Sequence, residues 1–141
     1  MVFTCRMPTL DNGIVRLASS RPVSEVLEHL LSILRAKGIT VFAVIDHSGE
    51  AAKAGIEMHQ TKLVIFGDPR AGTPLMLAAP DSALDLPLKI LIAEDTAGTT
   101  KISYNSLSYM KTRFGFTSEL MGNVAGIEKI AGILSGQEPA R

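Results

Sequence analysis

The run Gly67-Asp68-Pro69-Arg70-Ala71-Gly72-Thr73-Pro74 follows the apolar stretch Leu63 to Phe66 and leads into Leu75-Met76-Leu77-Ala78. Read as a loop that opens a short helix at Pro74, it offers what an anion needs. Gly72 lets a ligand approach the backbone, Thr73 adds a hydroxyl, and unpaired N–H groups at a helix start carry the positive end of the helix dipole. Gly67 and Gly72 share the four-residue gap of a P-loop. Thr73-Pro74 stands where that loop needs Lys and then Ser or Thr, so nucleoside triphosphate chemistry is excluded. Pro74 removes one donor, which leaves Arg70, Lys62 or Lys89 to complete a site for phosphate, sulfate or a ligand carboxylate. The competing explanation is a loop shaped by turn geometry alone.

Lys62 and Lys89 sit inside strand-like runs with apolar neighbours, an expensive place for an ammonium unless it pairs or reaches an edge. Asp46, Asp85 and Glu94 are the available counter-charges. The two lysines either snorkel to solvent at strand ends or line a pocket facing an acidic ligand group. Tyr104 ends a strand and either lines the pocket or covers the sheet edge, while Asn105 caps the next helix. Catalysis as a hydrolase or isomerase would require Asp85, Lys89 or Tyr104 to converge in a cleft. Ser48-Gly49 lacks the context of a nucleophile elbow, and no Ser, His and acid arrangement stands out. His29, His47 and His59 do not match a metal-ligand spacing, and the single Cys5 cannot form a Cys-rich site or an intrachain disulfide. No metal and no cofactor is indicated.

Lys plus Arg and Asp plus Glu are equal at 14 each, and there is no Trp, with two Tyr and five Phe. The chain therefore lacks both the cationic excess that neutralises a phosphate backbone and an aromatic platform for stacking bases, which argues against nucleic acid. Arg6, Pro8, Asp11, Asn12 and Gly13 break up the start of the chain, so no signal peptide is read there. The longest apolar runs, such as Val41 to Ile45, fall far short of the ~18 residues of a membrane span. With one cysteine, these features point to a cytoplasmic protein with no membrane partner.

Apolar residues make up 46% and charged residues 20% of 141 residues, enough for one buried core. Ile14 to Ser19 reads as a strand. Val23, Val26, Leu27, Leu30, Ile33 and Leu34 recur at helical spacing after Ser20 and Pro22, with Gly38 as the stop. Thr40 to Asp46 and Lys62 to Phe66 read as strands apolar on both faces, with a turn of helix or a loop at His47 to Gly55 between them. The short helix at Pro74 ends at Pro80, and a linker through Pro87 follows. Leu88 to Ala93, the turn Asp95 to Gly98, and Thr100 to Tyr104 form a hairpin. Helices follow at Ser106 to Phe114 and from Thr117 or Ser118 to Gly136, the latter as one continuous element. The hairpin requires antiparallel pairing, so the expected fold is α+β. It is a two-layer sandwich with a mainly antiparallel five-stranded sheet, in the order β-α-β(4)-α plus a C-terminal helix. The expected division is a leader at 1–13, a single domain at 14–116, and a helical extension of that domain at 117–141.

The span from Thr61 through Thr73-Pro74-Leu75-Met76, with Ala83-Leu84-Asp85-Leu86-Pro87-Leu88-Lys89, Glu94-Asp95, Gly98 and Ser103-Tyr104-Asn105, resembles the bacterial and archaeal domain-of-unknown-function family numbered 302. The resemblance covers roughly 14–114. It implies the β-α-β(4)-α layout and a homodimer, and it assigns no activity. Met58-His59-Gln60 stands where members often carry a Leu-Arg-Pro-like segment, and Thr117 to Arg141 runs past the family's usual end. The leading expectation is a homodimeric domain that binds a small anionic molecule near Gly72, Thr73 and Lys62. The alternatives are a protein-interaction module with no small ligand, and the small hydrolase or isomerase described above. Without Cys clusters or paired histidines, folding should not need a metal, so EDTA is expected to leave the melting temperature unchanged. A drop of many degrees reversed by Zn²⁺ would overturn this.

Overall fold

Val23, Val26, Leu30 and Leu34 are spaced so that they fall on one stripe of helix α1 (Val23–Ala36), and all four are buried. Glu25 in the first turn and Arg35 in the last complement the helix dipole. The helix stops where Gly38 takes a φ of 70° and lets Ile39 N–H return to the Leu34 carbonyl at 2.9 Å. The computed structural model describes residues 12–136. The leader expected at 1–13 lies outside the described residues except for Asn12 and Gly13, and Cys5 lies outside them.

Alternating side chains make strands β1 (Ile14–Ser19), β2 (Thr40–Asp46), β3 (Thr61–Gly67), β4 (Leu88–Glu94) and β5 (Thr100–Asn105). They form one sheet in the order β1-β5-β4-β3-β2, and every neighbouring pair is antiparallel. The α1 crossover thus links the two edge strands. Val64, Ile90, Ile92 and Ile102 have 0% exposure and, with Phe66 and Tyr104, form the sheet face that packs on α1 and on α6 (Gly126–Ser135). α6 contributes Ile127, Ile130, Ala131 and Leu134. This is the expected two-layer α+β sandwich.

Period-two alternation sends the other set of side chains to the opposite face. There Ile45 pairs with Leu63, Leu63 with Leu91, and Leu91 with Ser103, which in turn pairs with Arg16. Ile45, Leu63, Ile65 and Leu91 are only partly buried, and none belongs to either hydrophobic cluster. The sheet is apolar on both faces at β2 and β3, but its helices cover one. Strand β2 is irregular between Val41 and Ala43, and Phe42 at the irregularity is 51% exposed.

Three segments depart from the sequence-based expectation, and at a fourth, one of its two alternatives holds. His47 to Lys53 is a helix, α2, because the Asp46 carboxylate caps it by accepting from Gly49 N–H. Helix α3 is Pro69–Ala78 and begins five residues before the expected start at Pro74. Asp68 is its N-cap and Pro69 sits in the first turn, so the supposed loop is helix and Pro74 lies inside it. The linker before Pro87 contains a 3₁₀ turn, Pro80–Leu84, and the Leu86-Pro87 peptide is cis. The last helix is divided, because after α4 (Leu107–Phe114) come α5 (Ser118–Met121), a 3₁₀ turn at Gly122–Val124, and then α6. Gly122 and Gly126 weaken the continuous helix, and the tighter turn sends Met121 and Val124 away from the sheet. They join Leu75, Leu86, Met110 and Phe116 in a second cluster.

A buried strand residue and an exposed helix residue should respond differently to truncation. Ile90→Ala, at 0% exposure, is expected to lower the unfolding free energy by about 2–5 kcal/mol. Leu77→Ala, at 79% exposure, should change it by less than about 0.5 kcal/mol. Urea titration followed by far-UV circular dichroism checks both.

Candidate functional site

Where the two hydrophobic clusters meet, the chain leaves a cavity of about 260 Å³. The end of β3 supplies Phe66 and Gly67, the first turns of α3 supply Asp68, Ala71, Gly72 and Thr73, and α6 closes the far side with Gly126, Ile127 and Ile130. Ile39, Phe42, Leu86 and Pro87 complete the apolar walls, and Asn123 stands at the turn before α6. Three of the lining positions carry no side chain. A Cβ built on Gly72 or Gly126 would meet nothing within 4 Å, whereas one on Gly67 would touch Pro87 at 3.5 Å. Neither Gly72 nor Gly126 has positive φ, so their use here is volume and not backbone freedom.

The start of α3 is already satisfied. The Asp68 carboxylate accepts from Arg70 N–H at 2.9 Å, and the Asp68 carbonyl accepts from Ala71 and Gly72 N–H at 2.8 and 3.0 Å. Pro69 has no N–H to give. The donors on which an anion site was expected to rest are therefore taken by Asp68. Arg70 forks onto the same carboxylate through Nε at 3.1 Å and Nη2 at 2.9 Å. Those guanidinium bonds, followed by the backbone N–H, hold the Asp68 carboxyl below its ordinary pKa.

Of the residues singled out in the sequence, Gly72 and Thr73 line this cavity together. Arg70 adjoins them on α3, but its side chain is 88% exposed and turned to its partner Asp68. Lys62 is the second residue of the strand that Gly67 ends, about 17 Å away along β3, and its ammonium pairs with Asp46 at 2.9 Å. Lys89 Nζ donates to the Pro87 carbonyl at 3.0 Å, beside the cavity wall but outside its lining. Burial pushes the Lys89 pKa down, and the Asp85 charge opposes that. Among the described residues Asp85 Oδ2 accepts no hydrogen bond, yet it lies 3.4 Å from Arg113 Nη1, close enough for charge attraction without alignment. Tyr104 is packed in the sheet–helix core, where burial, then the Glu128 charge, pushes its hydroxyl pKa up. Among the described residues it makes no hydrogen bond or ion pair with Asp85 or Lys89, so the three groups named for catalysis are not joined.

Sequence reasoning missed Phe42, Asn123 and Gly126. A signal was present in Gly122-Asn123 and Gly126, which interrupt an otherwise continuous apolar stripe. Among the described residues, no group of three or more His, Cys, Asp or Glu could hold a metal ion, and no helix is long and apolar enough to cross a membrane.

The family model described as a domain of unknown function, DUF302, matches residues 15–135. The chain belongs to the DUF302 family. The match runs through α6, so the segment after Thr117, expected to lie past the family's end, is part of the family's own span. Among solved structures, an uncharacterized conserved DUF302 protein from Bacillus stearothermophilus superposes with a TM-score of 0.72 at 17% identity. That match covers 90% of this chain and 98% of that one, and it shows a shared fold. Among curated proteins, the fluoride-specific ion channel FluC 1 of Brucella suis biovar 1 (strain 1330) is 33% identical over 113 residues, 79% of this chain and 44% of that protein. FluC 1 of Brucella abortus biovar 1 (strain 9-941) is 33% identical over the same length and is covered to 42%. The chain thus spans less than half the length of these relatives.

The polar contact at the other end of β3 gives a pH test. The Ser48 hydroxyl, then the Lys62 ammonium and the Gly49 N–H, favour the Asp46 carboxylate and hold its pKa well below the ordinary 3.8. A depressed acid pKa means that the unfolded chain takes up the proton first. The contribution is therefore full above about pH 4 and is lost as the pH falls further. Asp46→Asn keeps a capping oxygen and loses the titration. Its melting temperature is expected to fall less than the wild type's between pH 5 and pH 3, and equal falls would remove Asp46 from the acid response.

Proposed function

We propose that this DUF302 chain is a homodimeric domain that binds a small molecule in the cavity between α3 and α6. The observation that carries the reading is the glycine-made volume. Gly72 and Gly126 sit inside or at the start of helices, where glycine costs about 1 kcal/mol relative to alanine, and both face a cavity that side chains would fill. Concave, largely apolar pockets with a few polar groups are the usual form of a small-molecule site. Asp68, Thr73 and Asn123 are the polar residues here.

The dimer rests on the open sheet face. Ile45, Leu63, Ile65 and Leu91 form a contiguous apolar block on adjacent strands, while Arg16 and Lys101 lie toward the β1 and β5 side. A two-fold axis through the Leu63 and Leu91 pair stacks apolar block on apolar block and keeps the basic side chains apart.

A second reading, from a different class, is favoured by the curated relatives. They carry the name of a fluoride channel, and this chain matches less than half of each. A channel must span the membrane, and no helix among the described residues is long and apolar enough to do so. The channel activity named for the relatives is then placed in their unmatched part, with the shared domain as an attached interaction module that docks through its open sheet face.

Light scattering after size exclusion at micromolar concentration is expected to report twice the chain mass. Leu91→Lys should return the monomer with an unchanged far-UV spectrum. A monomeric wild type would remove the dimer and leave the open face to another partner. For the cavity, a melting-shift screen of small metabolites is expected to give hits on the wild type that Gly72→Leu loses. An empty screen, together with co-purification of the chain with the unmatched part of the Brucella suis relative, would favour the interaction module.

A further inference from the structure

We propose that the cavity selects uncharged, largely apolar molecules and rejects anions, with Asp68 as the residue that sets the preference. This rests on the ligand-binding reading above and specifies its chemistry.

Among the described residues, the lining contains no Lys, Arg or His, and Asp68 is its single ionisable residue. The positive partner of that carboxylate does not line the cavity. Arg70 holds both carboxylate oxygens of Asp68 and has 88% of its side chain exposed, so the acid of the pair belongs to the lining while its base stands in water. An entering anion meets no cationic side chain in this lining and no spare N–H at the start of α3, because Asp68 engages the N–H groups of Arg70, Ala71 and Gly72. It would be stripped of water beside a fixed negative charge, which is unfavourable on both counts.

Two polar groups remain for a neutral ligand. Asn123 Nδ2 donates to the Ala71 carbonyl at 3.1 Å, which orients the amide and leaves its Oδ1 as an acceptor. The Thr73 hydroxyl makes no hydrogen bond within the described residues and can donate or accept. A ligand with one hydroxyl or N–H on an apolar ring system satisfies both groups. The volume of about 260 Å³ exceeds the roughly 150 Å³ in which an apolar cavity holds benzene, so a fused two-ring body is within range.

Two fluorescent probes that share one skeleton isolate the charge. N-phenyl-1-naphthylamine is uncharged, and 1-anilinonaphthalene-8-sulfonate is the same molecule bearing a sulfonate. Fluorescence titration of the full chain should give saturable binding of the amine, with the sulfonate weaker by about tenfold or more, the scale of one poorly screened charge contact. Asp68→Asn keeps the N-cap oxygen and should fold as the wild type does. It removes the charge and releases Arg70, so the gap should narrow to about threefold or less through tighter sulfonate binding. Gly72→Leu, and independently Gly126→Leu, should abolish both signals, since each fills open space from a helical position without positive φ.

The outcomes separate the two readings. If the sulfonate binds the wild type as tightly as the amine and both leucine variants lose it, the cavity stands and the preference for neutral ligands is overturned. If Asp68→Asn leaves the gap unchanged, Asp68 does not set the selectivity. If the amine fails to bind, or binds both leucine variants as it binds the wild type, the cavity is not a ligand site and this inference falls with it.

Discussion

The burial of Val64, Ile90, Ile92 and Ile102 beneath α1 and α6 is the contact on which the rest of the molecule depends. These four residues come from the three central strands, and removing them from water supplies the driving force that holds the strand order. That burial fixes register, because a slip of one residue would turn Ile90 and Ile92 outward and bring Lys89, Leu91 and Ala93 under the helices. It also fixes where the cavity lies. The 3₁₀ turn at Gly122–Val124 leads into α6, and Asn123, Val124 and Gly126 line the space between α6 and α3.

The same contact explains the asymmetry of the sheet. Two helices of 14 and 10 residues are enough to cover one face of five strands. The remaining helices are held at the ends, α2 by the Asp46 cap and α3 to α5 by the second cluster. Apolar residues on β2, β3 and β4 are therefore left on a face that no helix among the described residues covers. The cavity thus lies at the end of the sandwich and the flat apolar surface on its open side.

Much of the fold was legible because the hydrophobic periods were clean. The stripe from Val23 to Leu34 could only be a helix, and the alternation in Leu88 to Ala93 and Thr100 to Tyr104, joined by a Gly98 turn, could only be a hairpin. The family resemblance rested on the same strands. Legibility failed where two punctuation signals competed. Asp68-Pro69 and Thr73-Pro74 both look like helix starts, and the first prevails because the Asp68 carboxylate captures the Arg70 N–H and the Arg70 guanidinium together. The candidate site inherited that error: Gly72 and Thr73 belong to the cavity, but their place inside the helix gives them volume and a hydroxyl, with no free amides. Lys62 and Tyr104 could not be placed from the sequence, because nothing in one strand reveals what its neighbour brings to the same end of the sheet.

The irregularity in β2 has a bearing on how the molecule behaves among many copies of itself. β2 is an outer strand with Val41, Phe42 and Val44 exposed, and a straight apolar edge of this kind is a template on which further chains can add strand by strand. The break between Val41 and Ala43 interrupts the ladder that such growth needs. It also brings the Phe42 ring to the cavity wall, within 3.8 Å of where a Gly67 Cβ would stand. One local defect therefore both interrupts the exposed edge and supplies a wall of the cavity, and a substitution that straightened the strand would alter the two together.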